Sequence, residues 1–233
     1  ILVDFGNAQN IKHLATMIGC DDRLINDLLA SETKKEFYIK RHIPKKNKNM
    51  RQSGAFREVW EADSLELAKA QKSLLRCFED YATNKFDGKY PHPSSHGFIP
   101  KRSIITNARV HLGSKYLLRL DIHEYFNSIS SEALSTFFTN IGLHKDVANG
   151  ITALTTIDNC LGQGINSSPL FANLMCLDLD EELGQLASEY DCHYTRYADD
   201  LAFSGDRNVP PIDRIKSVLR KSGFRLSPDK RKY

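Results

Sequence analysis

Apolar residues recur at helical spacing in several parts of the chain. One apolar position every three or four residues is typical of a helix that buries one face. The pattern predicts short helices within residues 1–33, an amphipathic helix from Leu65 to Phe78, and helices over residues 132–142, 168–186 and 212–222. Ser168 before Pro169 is typical of a capped helix start, and Gly223 after the last helix is a typical stop.

Three other stretches have the pattern of strands. Residues 37–55 are basic and extended, with a polar run at 45–49 that predicts a hairpin tip. Residues 116–122 are mostly apolar and deliver Asp121 to the end of a buried strand, and residues 194–204 predict two short strands joined by a tight turn. Strands that alternate with helices around a central hairpin predict an α/β (α+β) fold with a mostly antiparallel sheet.

Composition narrows the class of protein. The 233 residues are 41% hydrophobic and 26% charged, which is ordinary for a globular chain with one core or two small subdomains. No apolar run is long enough to cross a bilayer, and the acidic N-terminal region does not resemble a secretory signal, so we expect a cytoplasmic protein that binds no membrane. The five cysteines form no CxxC pair, which argues against a disulfide framework or a zinc site.

Basic residues are concentrated in two segments, although the net charge is only +3. Residues 34–51 and 214–232 each hold eight Lys or Arg and a single acidic residue. Such segments on either side of a more acidic middle are typical of a polyanion-binding protein, and equally of two solvated charged faces. The chain starts at Ile1 and stops at Tyr233 within a basic segment, so we expect a fragment of a longer protein.

Three carboxylates are placed unusually. Asp199 and Asp200 are adjacent at the predicted hairpin turn, where two anions repel unless a cation shares their charge. Asp121 ends an apolar strand, where a lone buried charge would cost several kcal/mol, an order-of-magnitude figure. A shared Mg²⁺ site would remove both problems, because hard cations prefer oxygen ligands. An exposed turn is the alternative for the Asp199–Asp200 pair taken alone.

Five motifs in order resemble those of reverse transcriptases. They are Ile43-Pro44-Lys45-Lys46 with Arg51, Asp121 to Phe126, Gln163-Gly164 with Ser168-Pro169, Tyr197-Ala198-Asp199-Asp200, and Leu226 to Lys230. Gly162 stands where the third motif usually has proline. Residues 96–111, which include Asn107-Ala108-Arg109-Val110-His111, are similar to an element that marks bacterial retron enzymes.

The resemblance implies the fingers and palm of a right-hand polymerase, with helices packed on an antiparallel palm sheet. Residues 1–33 would form an N-terminal helical segment, residues 34–115 the fingers interleaved with palm, and residues 116–233 the palm with part of the fingers. The thumb is expected beyond residue 233.

The resemblance also implies a site that binds two Mg²⁺ ions, with Mn²⁺ as a possible substitute. Asp121, Asp199 and Asp200 would hold the metals, with the backbone carbonyl of Ile122 as a further ligand. Lys230 would protonate the leaving pyrophosphate, unless Arg231 beside it makes the phosphate contact instead.

The remaining implied roles concern substrates. Lys45 and Arg51 would clamp the triphosphate, and Phe126 would exclude a 2′-hydroxyl unless Tyr125 takes that role or Phe126 is a core residue. Gln163 would touch the template or nascent base pair. Asn107 and His111 would bind RNA, with a structural hydrogen-bonded pair as the alternative.

The implied function is RNA-directed DNA polymerisation of the retron type, producing a short RNA-linked DNA used in phage defence. The implied partners are a structured non-coding RNA template and primer, its DNA product, dNTPs and an effector or toxin protein. The alternatives are another bacterial defence or group II intron-like reverse transcriptase, a non-catalytic RNA-binding palm module, or a palm nucleotidyl cyclase.

Overall fold

The structure, a computed structural model, describes residues 4–44 and 56–228. Its helices are α1 (Ile11–Ile18), α2 (Asp22–Ala30), α3 (Leu65–Lys85), α4 (Ile104–Arg109), α5 (Ser131–Asn140), α6 (Lys145–Thr155), α7 (Ser168–Met175), α8 (Leu177–Glu189) and α9 (Ile212–Lys221). Its strands are β1 (Tyr38–Pro44), β2 (Phe56–Ala62), β3 (Tyr116–Asp121), β4 (Thr156–Ile157), β5 (Cys160–Leu161), β6 (His193–Tyr197) and β7 (Asp200–Gly205).

The chain divides into two compact units, each built from two separate stretches of sequence. The first unit comprises residues 1–81 and 130–168, and the second comprises residues 82–129 and 169–233. The predicted boundaries at residues 34 and 116 stay predictions. Within the part of the chain that the structure describes, no helix is long and apolar enough to span a membrane.

Helices α1, α2, α5 and α6 pack together in the first unit. Gly150 in α6 makes this possible, since an added Cβ there would lie only 2.7 Å from Leu14 and 2.9 Å from Ile11. The rings of Phe5, Phe78 and Phe138 pack beside them, with centroids 4.9 and 5.5 Å apart. Burying aromatic side chains of this size is a principal source of stability.

The hairpin β1–β2 of the first unit is antiparallel and pairs Tyr38 with Ala62 and Pro44 with Phe56. Its only buried position in β1 is Tyr38, whose hydroxyl accepts a hydrogen bond from the buried amide of Gln71 at 2.9 Å. The first strand of the predicted hairpin is confirmed, whereas the second strand begins at Phe56, beyond the predicted range of 37–55. The predicted tip at residues 45–49 lies outside the described residues.

The second unit is built on an antiparallel sheet with strand order β3-β7-β6. Helix α8 packs on β6, and α9 packs on α8. Residues 94–96 run beside β6, where Ser95 pairs with Arg196 in a parallel bridge. Most side chains of β6 and β7 are buried, whereas half of those in β3 are exposed.

The predicted fold class is confirmed, and most predicted helices lie within a few residues of the observed ones. The long helix predicted over residues 168–186 is wrong in one respect, since Cys176 separates α7 from α8. The Ser168 hydroxyl does not act as the predicted cap but donates to the Gly162 carbonyl at 2.7 Å. Helix α6 was not predicted.

Candidate active site

The hairpin β6–β7 places Asp199 and Asp200 at one end of the sheet. Tyr197 and Asp200 are register partners, so Ala198 and Asp199 form a two-residue loop. Ala198 has a φ of 56°, a left-handed conformation that side chains rarely adopt. Such strain costs about 1–3 kcal/mol and persists only where surrounding contacts hold it.

The neighbouring strand β3 brings Asp121 to the same end. Asp121 is the register partner of Asp200, so the two side chains share one face with Cβ atoms roughly 5 Å apart. The Ile122 amide donates to the Asp199 carbonyl at 2.8 Å. Two strands and one turn therefore gather the three predicted aspartates, as the sequence indicated.

Polar neighbours hold two of these carboxylates. The Ser227 hydroxyl donates to Asp121 Oδ1 at 2.6 Å, and Arg119 Nη2 lies 3.6 Å from Asp200 Oδ1. Asp121 is buried, while Asp199 and Asp200 are partly exposed. Across residues 4–44 and 56–228, no three His, Cys, Asp or Glu side chains are grouped closely enough to form a metal site as they stand. The metal-binding role of the aspartates therefore stays a prediction.

Phe126 and Tyr125 differ in burial. Tyr125 is buried, and its hydroxyl accepts from Arg196 Nη1 at 2.8 Å. Phe126 is partly exposed, and its ring centroid lies 6.3 Å from that of Phe98, which is exposed and has a φ of 60°. Of the two candidates for the sugar contact, only Phe126 has a ring surface open to a ligand.

Gln163 and Gly164 lie beside β2 in the first unit. The Gln163 carbonyl accepts a hydrogen bond from the Trp60 amide at 2.7 Å. Gly164 has a φ of 102°, and an added Cβ would lie 2.6 Å from the Trp60 carbonyl oxygen. The close approach that glycine permits here is to the chain's own strand. The template contact of the partly exposed Gln163 stays a prediction.

Asn107 lies in α4, whereas His111 follows its end, so the two do not share a helical face. His111 Nδ1 is 2.7 Å from the Ser204 hydroxyl and Nε2 is 2.7 Å from the Thr195 hydroxyl, which ties this segment to β6 and β7. Burial, with help from His193 and His96, lowers the pKa of His111 to about 4.

Asn107 Oδ1 is buried, and within the described residues it has no hydrogen-bond partner. The predicted RNA contacts of Asn107 and His111 stay predictions. Lys45, Arg51 and Lys230 lie outside the described residues.

Sequence reasoning missed a buried ion pair beside the hairpin. Arg196 in β6 and Asp180 in α8 are both fully buried, with Nη2 and Oδ2 only 2.6 Å apart. One signal was available, because Asp180 occupies a helical position in register with the buried Cys176, Leu183 and Ala187. An acidic residue on an apolar face needs a partner.

Comparisons with known proteins agree with this geometry. The family model described as reverse transcriptase (RNA-dependent DNA polymerase) matches residues 43–233. The Retron Mx162 reverse transcriptase of Myxococcus xanthus is 29% identical over 196 residues, covering 71% of this chain and 39% of that protein. The Retron Ec86 reverse transcriptase of Escherichia coli is 31% identical over 170 residues, covering 72% of this chain and 51% of that protein.

A solved structure shares the fold. It is the telomerase from Candida tropicalis in complex with a TWJ fragment of telomeric RNA, with a TM-score of 0.53 and 14% identity over 84% of this chain and 40% of that one.

The chain spans between 39% and 51% of the length of the retron proteins compared above. The match over residues 43–233, together with the three aspartates at the end of the sheet, shows that the chain belongs to the reverse transcriptase family.

Proposed function

We propose that the chain is the fingers and palm of a retron-type RNA-directed DNA polymerase. The observation that carries the proposal is the cross-strand pairing of Asp121 with Asp200 beside Asp199 at the hairpin turn. Three carboxylates at one sheet end suit nucleotidyl transfer, because they would hold divalent cations that stabilise the charge developed in that reaction. Similarity to retron reverse transcriptases supports the same activity.

The donor set fits a hard divalent cation, and we infer that the cation is Mg²⁺, with Mn²⁺ as a substitute. Asp121, Asp199, Asp200 and the Ile122 carbonyl offer only oxygen atoms, the ligands that Mg²⁺ prefers. When bound, two such ions lower the pKa of the primer 3′-hydroxyl and neutralise the charge on the phosphates. Ser227 and Arg119, which contact Asp121 and Asp200, would orient these carboxylates.

Other residues of the chain would handle the nucleotide. Phe126 would place its open ring surface beneath the sugar and exclude a 2′-hydroxyl by steric overlap. Lys45 and Arg51 would hold the β- and γ-phosphates, and Lys230 would donate a proton to the departing pyrophosphate. Gln163 would contact the template or the new base pair.

The proposed nucleic-acid partner is a structured non-coding RNA that serves as template and primer for a short RNA-linked DNA. Asn107 would also contact this RNA, but not through its Oδ1, which is buried. Both ring nitrogens of His111 are bonded within the protein, so an RNA contact would use its ring face. An effector protein, a role in phage defence and a cytoplasmic location complete the proposal.

The test is extension of a DNA primer on an RNA template with Mg²⁺ and dNTPs. Wild-type protein should extend the primer, and the Asp199→Asn/Asp200→Asn double variant should not. An RNA-binding protein that never extends the primer would instead be a non-catalytic palm module. If the protein extended a primer on an intron RNA template in preference to a retron RNA template, the group II intron-like alternative would be favoured.

A further inference from the structure

The Arg196 guanidinium is saturated with hydrogen bonds inside the second unit. It forms two bonds to Asp180, from Nε to Oδ1 at 2.8 Å and from Nη2 to Oδ2 at 2.6 Å. Its other acceptors are the Tyr125 hydroxyl (2.8 Å), Asn173 Oδ1 (3.1 Å), the Ala198 carbonyl (3.2 Å) and the Ser95 hydroxyl (3.3 Å). The six acceptors exceed the five N–H donors of the planar fork by one, because the two hydrogens of Nη1 are shared among three acceptors. A lysine ammonium, with three donors and no fork, does not suit such a set.

Arg196 keeps its charge although it is buried. Burial by itself lowers the pKa of Arg196, but attraction to Asp180 together with the effects of Tyr125 and Cys176 outweighs burial, so that pKa lies well above its ordinary value. Tyr194 supplies a further hydrogen bond to Asp180 Oδ1 at 2.8 Å. Burying an ion pair is costly unless its remaining polar atoms are satisfied, as they are here. A buried ion pair of this kind typically adds little net stability and instead fixes the geometry of the residues around it.

The network reaches the turn that carries the aspartates. Arg196 Nη1 donates to the carbonyl of Ala198, the residue with the left-handed φ that immediately precedes Asp199. The Arg196 backbone is held as well, since its amide donates to Ser94 at 2.8 Å and its carbonyl accepts from His96 at 2.7 Å. Gly97 packs against the same turn, with an added Cβ only 2.5 Å from the Ala198 nitrogen.

We propose that Arg196 is a positioning residue that fixes Asp199 and Asp200 for divalent cation binding through its bond to the Ala198 carbonyl. The proposal rests on the proposed two-metal function. Without the fork, the turn can leave its strained conformation. Part of the cation's binding free energy is then used to return Asp199 and Asp200 to the binding geometry, so the cation binds less tightly. The expected consequence is weaker binding of the metal ion itself, which can be measured without dNTP.

The variant Arg196→Lys keeps the charge and removes the fork. Mn²⁺ binding, measured from the electron paramagnetic resonance signal of the free ion, should weaken about tenfold, the effect typical of losing an outer-shell partner of a metal ligand. Arg214→Lys is the matched control, because Arg214 makes an exposed ion pair with Glu189 in the same unit. Its Mn²⁺ affinity should equal that of the wild type. The Asp199→Asn/Asp200→Asn protein should lose the binding, which assigns the signal to this site.

Unchanged Mn²⁺ affinity in a folded Arg196→Lys protein, or no Mn²⁺ bound at Asp199 and Asp200 in the wild type, would overturn the inference. If Arg196→Lys does not fold, Asp180→Asn decides, since it keeps the shape of the side chain and weakens the two bonds that orient the Arg196 fork. It should weaken Mn²⁺ binding by a smaller factor, and an unchanged affinity would overturn the inference. Failure of primer extension by a wild type that shows these metal effects would sink the proposed function alone.

Discussion

The two longer hairpins of the chain are built in opposite ways. In β6–β7 all positions except His193, Tyr197 and Asp200 are buried, and the buried Arg196 bonds to the turn. In β1–β2 only Tyr38 is buried, and its cations pair with acids at the surface, as Lys40 does with Glu58 at 2.8 Å. A lysine or arginine in an exposed ion pair can leave its acidic partner for another anion at little cost in free energy, whereas a buried network fixes one geometry. The contrast is consistent with the proposed roles, phosphate binding for β1–β2 and the holding of metal ligands for β6–β7.

The largest expected effect is a difference in stability loss when an ion pair of each hairpin is broken. Asp180→Ala leaves the Arg196 charge buried without its main partner, and unfolding by denaturant should show a loss of about 3–5 kcal/mol. Glu61→Ala removes the exposed partner of Arg41, which lies 3.0 Å away, and should cost less than about 1 kcal/mol. Equal losses in the two variants would contradict the comparison.

A smaller effect is expected from crowding the β6–β7 turn. In Gly97→Ala the new methyl group would lie 2.5 Å from the Ala198 nitrogen, and overpacking of this kind costs about 1–3 kcal/mol. Primer extension should fall with it, because the turn carries Asp199. The control is Gly184→Ala in α8, where an added Cβ meets no atom within 4 Å among the described residues. That change should stabilise the protein by up to about 1 kcal/mol.

The smallest expected effect is a pH dependence that arises from His111. Its folded-state pKa of about 4 lies below the ordinary value of 6.5, so the unfolded chain binds the proton more readily. Stability should therefore fall as the pH drops from about 6.5 to about 4, by about 1–2 kcal/mol after allowance for partial exposure. Thermal melting of His111→Gln against wild type across this range measures the effect. Identical pH profiles of the two proteins would refute it.

The hairpin that carries Asp199 and Asp200 could be predicted from sequence because its signals are local. Two short apolar stretches joined by an acidic turn lie within residues 194–204, and the structure has strands on both sides of that turn. Asp121 was predictable for the same reason, as a charge that ends an apolar strand. The meeting of Asp121 with Asp200 depends on strand pairing, which the resemblance supplied and local pattern did not.

The supporting network was not predicted because its signals are distant in sequence. Arg196 bonds to Ser95, Tyr125 and Asp180, which local periodicity does not connect. Asp180 stands in an acidic run that is typical of a solvated helix face, and only one of its members turns inward. Helix α6 was missed because Asn149 and Gly150 weaken its helical pattern, although Gly150 is the residue that allows close packing.

The most direct test of the account is primer extension by Asp121→Asn, which keeps the shape of the side chain and removes its charge. If Asp121 and Asp200 share divalent cations, extension on an RNA template should fall about a thousandfold, or about 4 kcal/mol of transition-state stabilisation. Asp206→Asn is the control, since among the described residues Asp206 accepts one hydrogen bond, from the Lys115 amide at 3.2 Å, and asparagine can accept the same bond. Loss in Asp121→Asn alone is the predicted result. Extension by Asp121→Asn at the wild-type rate would contradict the two-metal site.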